Sequence, residues 1–259
     1  MNSINHLIAE WRFMLIETKR YYMETIGSIF VLLLVFSIVF YGFKGISGAE
    51  ANDQRLEVIV AGYILWMFAL LGFQTISEDI RESMERGNLE QLYLCPNGIY
   101  TVLGFRLTFK FVQAIILLVI VFIVSMWLSG QWLYFAYGQL IIVLLIGIPG
   151  LFGLGLIFAG AILINKKLST LLQIINFATI ALIALPAKPM ELENVYSYLP
   201  FASAGYFARG IMTNSLEQMA PLSWYIFIIV NSGVYLLLGI FIYKAFETKA
   251  RKKNLLGQY

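Results

Sequence analysis

Residues 26–43 read IGSIFVLLLVFSIVFYGF, without one charged side chain. Comparable apolar runs recur at 58–76, 111–128, 133–164, 168–187 and 223–245, the last with a lysine near its end. A helix rises about 1.5 Å per residue, so about 20 apolar residues match the hydrocarbon thickness of a bilayer. Inside that layer no water satisfies backbone N–H and C=O groups, which leaves helices and closed barrels as spanning structures. A barrel would show short alternating segments, and these runs do not alternate. The expected fold class is therefore all-α integral membrane, with six transmembrane helices. The fourth run is too long for one straight span and contains Gly147, Pro149, Gly150, Gly153 and Gly155. Proline removes a helix hydrogen bond and glycine permits bending or close approach, so a kinked, tilted or hinged helix is expected there.

Composition agrees. Only 13% of the 259 residues are charged, where soluble domains carry about 25%. The length suits one membrane domain over residues 1–259 and leaves no room for a soluble enzyme domain. The single cysteine, Cys95, cannot form an intramolecular disulfide, and its role is not legible. No basic run with interleaved aromatics points to nucleic acid.

Lysine and arginine placement sets the expected orientation. With a cytoplasmic N-terminus, only Lys44, Arg55, Lys188 and Arg209 of the 18 basic residues fall outside. The expectation is a multi-pass protein of the cell membrane with both termini cytoplasmic. Residues 1–24 do not read as a signal peptide, because they are mixed in polarity and the following span is longer than a signal's apolar core. Within them Ile4, Leu7, Ile8, Trp11, Met14 or Leu15, and Thr18 or Tyr22 recur at helical spacing. That pattern predicts an amphipathic interface helix, lying on lipid, on protein, or on both.

Candidate chemistry is sparse. One histidine, His6, and one cysteine make no metal set, so no metal, cofactor or catalytic residue is expected. No phosphate-binding G-x-x-x-x-G-K-[ST] loop and no G-x-S-x-G elbow occur. Leu128-Ser129-Gly130-Gln131 resembles a clipped ATPase signature, but its place between two spans makes it a tight turn. The apolar runs hold almost no ionisable groups, and Arg106 and Lys110 can snorkel to the cytoplasmic face. An ion-coupled carrier would need a charge or unwound polar site at the midplane. Gln74, Gln113, Gln139, Gln173, Asn176 and Asn231 are the polar groups inside, as interhelical hydrogen-bond partners or as lining of a path.

The exception is the insert at 77–101, where five acids and two arginines crowd residues 78–90. Residues 77–86 continue the second span as a helix, with Arg81–Glu85 and Glu82–Arg86 at i,i+4. Gly87 is placed to end it. Asn88 can cap a second short helix over 89–94 with Glu90 in its first turn, and Pro96-Asn97-Gly98 stops it. A capped start and a hard stop describe a rigid docking element better than a solvated linker.

Glu85-Arg86-Gly87-Asn88-Leu89-Glu90-Gln91-Leu92, followed by Pro96, resembles the Glu-x-x-Gly-Thr-Leu-Glu-x-Leu…Thr-Pro segment of ABC-2-type exporter permeases. Asn88 stands where threonine is usual, and Cys95 where threonine or serine precedes the proline. The resemblance implies an N-terminal interface helix, six spans, a cytoplasmic coupling helix after span two and a short re-entrant outside segment before span six. It implies that Glu85, Arg86, Gly87, Leu89, Glu90, Leu92 and Pro96 couple to a separate ABC ATPase subunit, which would bind ATP and Mg. It also implies a second permease subunit, as homodimer or paralogue heterodimer, among membrane lipids.

The outside segment 188–222 is rich in aromatic and small residues, poorly suited to a free loop. It either dips into the membrane to gate release or anchors the helices at the interface. Trp66, Phe73, Gln74, Gln173 and Asn176 are the candidate substrate path. A drug, lipid or lipid-like metabolite is the expected cargo, and a lipid-linked polysaccharide is the alternative. A membrane-embedded enzyme would need converging ionisable groups, which the sequence does not supply, and a non-transporting assembly subunit is the remaining reading.

Overall fold

The computed structural model describes residues 3–47, 53–87, 99–133, 137–164, 179, 187–189, 195–214 and 221–252. Among these the chain is predominantly helical, without strands. In chain order the helices are α1 (Ser3–Arg20), α2 (Tyr22–Ser47), α3 (Asp53–Glu85), α4 (Ile99–Ser129), α5 (Tyr137–Ile164), α6 (Ala202–Met212) and α7 (Leu222–Lys252). A short 3-10 turn, Val195–Tyr198, precedes α6. Five helices, α2 to α5 and α7, are long and apolar enough to cross a membrane. The protein is thus a multi-helix membrane protein. The expected fifth span, 168–187, lies almost wholly outside the described residues.

α3 is the central helix. Most of its apolar stretch is buried, whereas α2 and α7 turn large hydrophobics such as Phe30, Ile38, Leu237 and Phe241 outward. An apolar surface of that extent belongs against lipid tails or another membrane chain. One core joins Phe36, Phe40, Tyr63, Leu65, Leu151, Phe201 and Phe207. A second, toward the other end of α3, joins Phe73, Ile76, Ile80, Ile162, Leu163 and Tyr243.

The most extensive helix contact is α5 against α7. Glycine explains it. A Cβ at Gly153 would run into the backbone of Tyr235 and Leu236, and one at Gly239 would run into the backbone of Gly153. Two helices approach this closely only where neither carries a side chain between the axes. Pro149 lies inside α5, yet the helix continues unbroken to Ile164. Proline and glycine here mark a helix built to be approached.

α1 packs on protein along part of its stripe. Met14 is buried, Trp11 sets its ring edge-on to Phe109 of α4 at 5.5 Å, and Thr18 is half-buried. Ile8, Leu15 and Ile16 remain exposed on the flank. The stripe therefore divides between α4 and an outward apolar edge.

Of the described residues before α7, α6 is packed inside protein, whereas Val195, Tyr196 and Tyr198 are exposed. All but Tyr206 and Arg209 of the eleven α6 residues are buried. Phe201, in a left-handed conformation at φ 66°, turns the chain into α6 and contacts Phe68 at 5.7 Å. The non-helical backbone is hydrogen-bonded: Ser203 Oγ donates to Ser197 O at 2.6 Å, and Asn231 Nδ2 donates to Leu199 O at 3.3 Å.

Candidate functional site: the charged foot of α3 and α4 and the slot above it

α3 runs well past its apolar stretch and ends at Glu85. Gly87 follows at φ +66°, its N–H donating to Met84 O at 3.0 Å. Glycine enters this left-handed region without the steric cost a Cβ brings, so the helix stops where Gly87 predicts. Arg81 lies between Glu78 (2.6 Å) and Glu85 (2.7 Å) along the helix. These side chains are 37–59% exposed, so each pair contributes only about 0.3–0.5 kcal/mol.

The opposite flank of this helix end is different. Asp79, Glu82, Ser83 and Arg86 fall at i, i+3, i+4 and i+7, one face of a helix. That face meets Arg106 and Lys110, themselves one turn apart on α4. Lys110 Nζ bonds Asp79 Oδ1 at 2.8 Å and Glu82 Oε2 at 3.0 Å. Arg106 Nη1 donates to Ser83 Oγ at 3.5 Å. The Asp79 side chain is 3% exposed and that of Lys110 20%, so the pair is taken largely out of water. Asp79 Oδ2 has no hydrogen-bond partner among the described residues. Removing one member of a buried pair costs about 3–5 kcal/mol, because the other charge is stranded. The two helices are therefore locked together at their feet, immediately beside the segment that joins them.

Sequence reasoning treated Lys110 as a snorkelling lysine and Glu82 as the partner of Arg86. The fold brings Lys110 and Glu82 together across 28 positions, a pairing that neither reading named. The signal was present: an acidic face closing α3 and a basic i,i+4 pair opening α4, on helices joined by a short connection.

Above the locked foot two cavities adjoin. The first, of about 480 Å³, is polar and lies among α1, α2, α3 and α4, with Thr18, Tyr21, Glu24, Glu82, Arg86 and Lys110 in its wall. The second, of about 690 Å³, is mostly apolar and runs between α2 and α3, lined by Gly27, Val31, Leu32, Met67, Leu71 and Gln74 among others. Glu24, Ser28 and Leu117 line both. Each volume lies in the range of roughly 300–1,000 Å³ typical of small-molecule sites. A third cavity of about 340 Å³ opens on the opposite flank of α3, with Asp79, Leu107, Tyr243 and Lys244 in its wall.

Of the residues expected to couple to a motor, Glu85, Arg86 and Gly87 sit at the exposed end of α3. Leu89, Glu90, Leu92 and Pro96 lie outside the described residues. Of the expected path residues, Gln74 lines the apolar cavity. Trp66 is half-buried beside Tyr63, their rings 5.6 Å apart. Phe73 is 1% exposed and meets Phe158 edge-on, a core position rather than a lining one. Gln173 and Asn176 lie outside the described residues. No group of three or more histidine, cysteine, aspartate or glutamate side chains that could hold a metal occurs among the described residues. The chain matches no protein-family model and no curated protein sequence.

Proposed function

We propose that this chain is the transmembrane subunit of an ATP-driven exporter of the ABC-2 type. It would move a hydrophobic or amphipathic molecule out of the cytoplasm or the inner leaflet. ATP would be hydrolysed by a separate ATPase chain, and a second permease subunit, identical or paralogous, would complete the pathway. The membrane would be the cell membrane, with six spans and both termini inside.

One observation carries the reading. The central helix continues unbroken from its apolar stretch to Glu85, breaks at Gly87, and leads directly into the segment that resembles the coupling motif. The foot of that helix is tied to α4 by Lys110, Asp79 and Glu82. A push on the 88–98 connection would then displace two spanning helices together, because stretching a buried ion pair is costly. The exposed charges at Glu85 and Arg86 would set register on a partner more than affinity.

The test is co-expression with a candidate ABC ATPase, followed by purification and ATPase assay. Wild type should co-purify and hydrolyse ATP. Glu90→Lys should weaken the complex. Gly87→Pro should keep the complex but lower substrate-stimulated turnover several-fold. If no ATPase associates, or both variants behave as wild type, the exporter reading fails.

A further inference from the structure

The two adjoining cavities form one amphipathic slot. Its apolar arm rises between α2 and α3, and its polar arm ends against α1, Glu82 and Lys110. From Glu24 to Leu32 is eight residues of α2, about 12 Å along the axis. The slot therefore reaches from the charged ends of the helices into the apolar half nearest α1.

The ionic balance within it is uneven. The polar wall holds two cations: Lys110 is taken up by Asp79 and Glu82, and Arg86 also has a partner. Glu24, in the first turn of α2, is the one ionisable residue that lines both arms. Its carboxylate meets no cation among the described residues. Ser28, the polar neighbour that also lines both arms, spends its hydroxyl proton on Glu24 O at 2.9 Å. An exposed carboxylate that pairs with no described cation, placed where the polar arm meets the apolar one and a turn from Tyr21, selects a positive head attached to an apolar body. Anionic amphiphiles would meet a like charge where the two arms join.

We infer that this slot binds lipophilic cations, with the positive centre at Glu24 and the apolar body along Gly27, Val31, Leu32, Met67 and Leu71. Its role as the site of substrate uptake rests on the exporter reading; the binding itself does not. Gly27 offers a direct way to close the slot. A Cβ added there meets nothing within 4 Å, so a large side chain can enter the cavity without forcing the helices apart.

The experiment measures saturable binding of tetraphenylphosphonium to the full chain in nanodiscs, without ATPase or nucleotide, after subtraction of empty discs. Tetraphenylborate, of the same shape and opposite charge, is the control. Wild type should bind the cation saturably and the borate not at all. Glu24→Gln should weaken binding at least tenfold, and Gly27→Trp should abolish it. Glu57→Gln, near the far end of α3, should leave it unchanged. The proposal is overturned if wild type shows no saturable cation binding. It is also overturned if the borate binds equally well, or if Glu24→Gln and Gly27→Trp bind like wild type while eluting as folded protein. Retained binding with no ATPase coupling would sink the exporter reading and leave the slot standing.

Discussion

The two flanks of α3 are built on opposite plans. On one flank α5 and α7 pack backbone to backbone, with Gly153 and Gly239 facing each other and Gly160 against Phe246 and Tyr243. On the other flank α2 crosses α3 and α4 through large side chains, and the gaps between them become the slot and the polar cavity. Lipid tails are as apolar as leucine, so helices in a membrane gain little from merely touching hydrophobic faces. Where small residues let the backbones meet, dispersion and close approach hold the pair. Where they do not, a cavity survives, and charged groups must hold the helices instead. Lys110, Asp79 and Glu82 do that beneath the open flank. The difference between the two flanks is thus largely a difference in where small residues fall, and the close-packed flank keeps a smaller cavity lined by Leu156, Ile240 and Tyr243.

The comparison breaks most sharply at Lys110. Lys110→Met should destabilise the protein by about 3–5 kcal/mol, since Asp79 is left buried without its partner. The double variant Lys110→Met with Asp79→Leu should recover much of that loss. Thermal unfolding in nanodiscs distinguishes the two; equal loss in both would show that the foot is held by packing rather than charge.

A smaller effect separates the flanks directly. Gly153→Ala places a methyl group against the backbone of Tyr235, which cannot rotate away, and overpacking of this kind costs about 1–3 kcal/mol. Gly27→Ala meets nothing within 4 Å and exchanges a poor helix former for a good one, a gain of at most about 1 kcal/mol. Opposite shifts in melting temperature are expected from the same substitution. Shifts of the same sign would mean that the glycines do not set the packing contrast.

The smallest effect is at Arg81. Arg81→Ala removes two exposed pairs and should cost no more than about 1 kcal/mol in total, falling further at high salt. A loss comparable to that of Lys110→Met would place the structural tie on the exposed face of α3 instead.

Much of this architecture is legible in the residues taken one segment at a time. An uncharged run such as 26–43 has few alternatives to a spanning helix, because its backbone must satisfy itself. The stop at Gly87, the turn at Gly130 (φ +71°) and the amphipathic stripe through Trp11 and Met14 are local, and each depends on neighbours within a turn or two. The candidate site was legible only in part. Gln74 reaches a cavity, but Phe73 beside it points into the core, because adjacent helix positions face about 100° apart and nothing local says which way α5 lies.

By itself, then, the sequence determined the five described spanning helices, the stop at Gly87, the concentration of charge at the end of α3, and the resemblance in the 85–96 segment. Only the tertiary structure decided that Lys110 pairs with Asp79 and Glu82. It alone also decided that α6 is buried in protein, and that Glu24 lines both arms of the slot. The physical reason is range. Helix formation and capping are settled within a few residues, by hydrogen bonds and steric limits carried in the local chain. Pairing across 28 positions, and the space left between two helices, depend on the distance between axes, and that distance is set by side chains that are far apart in sequence.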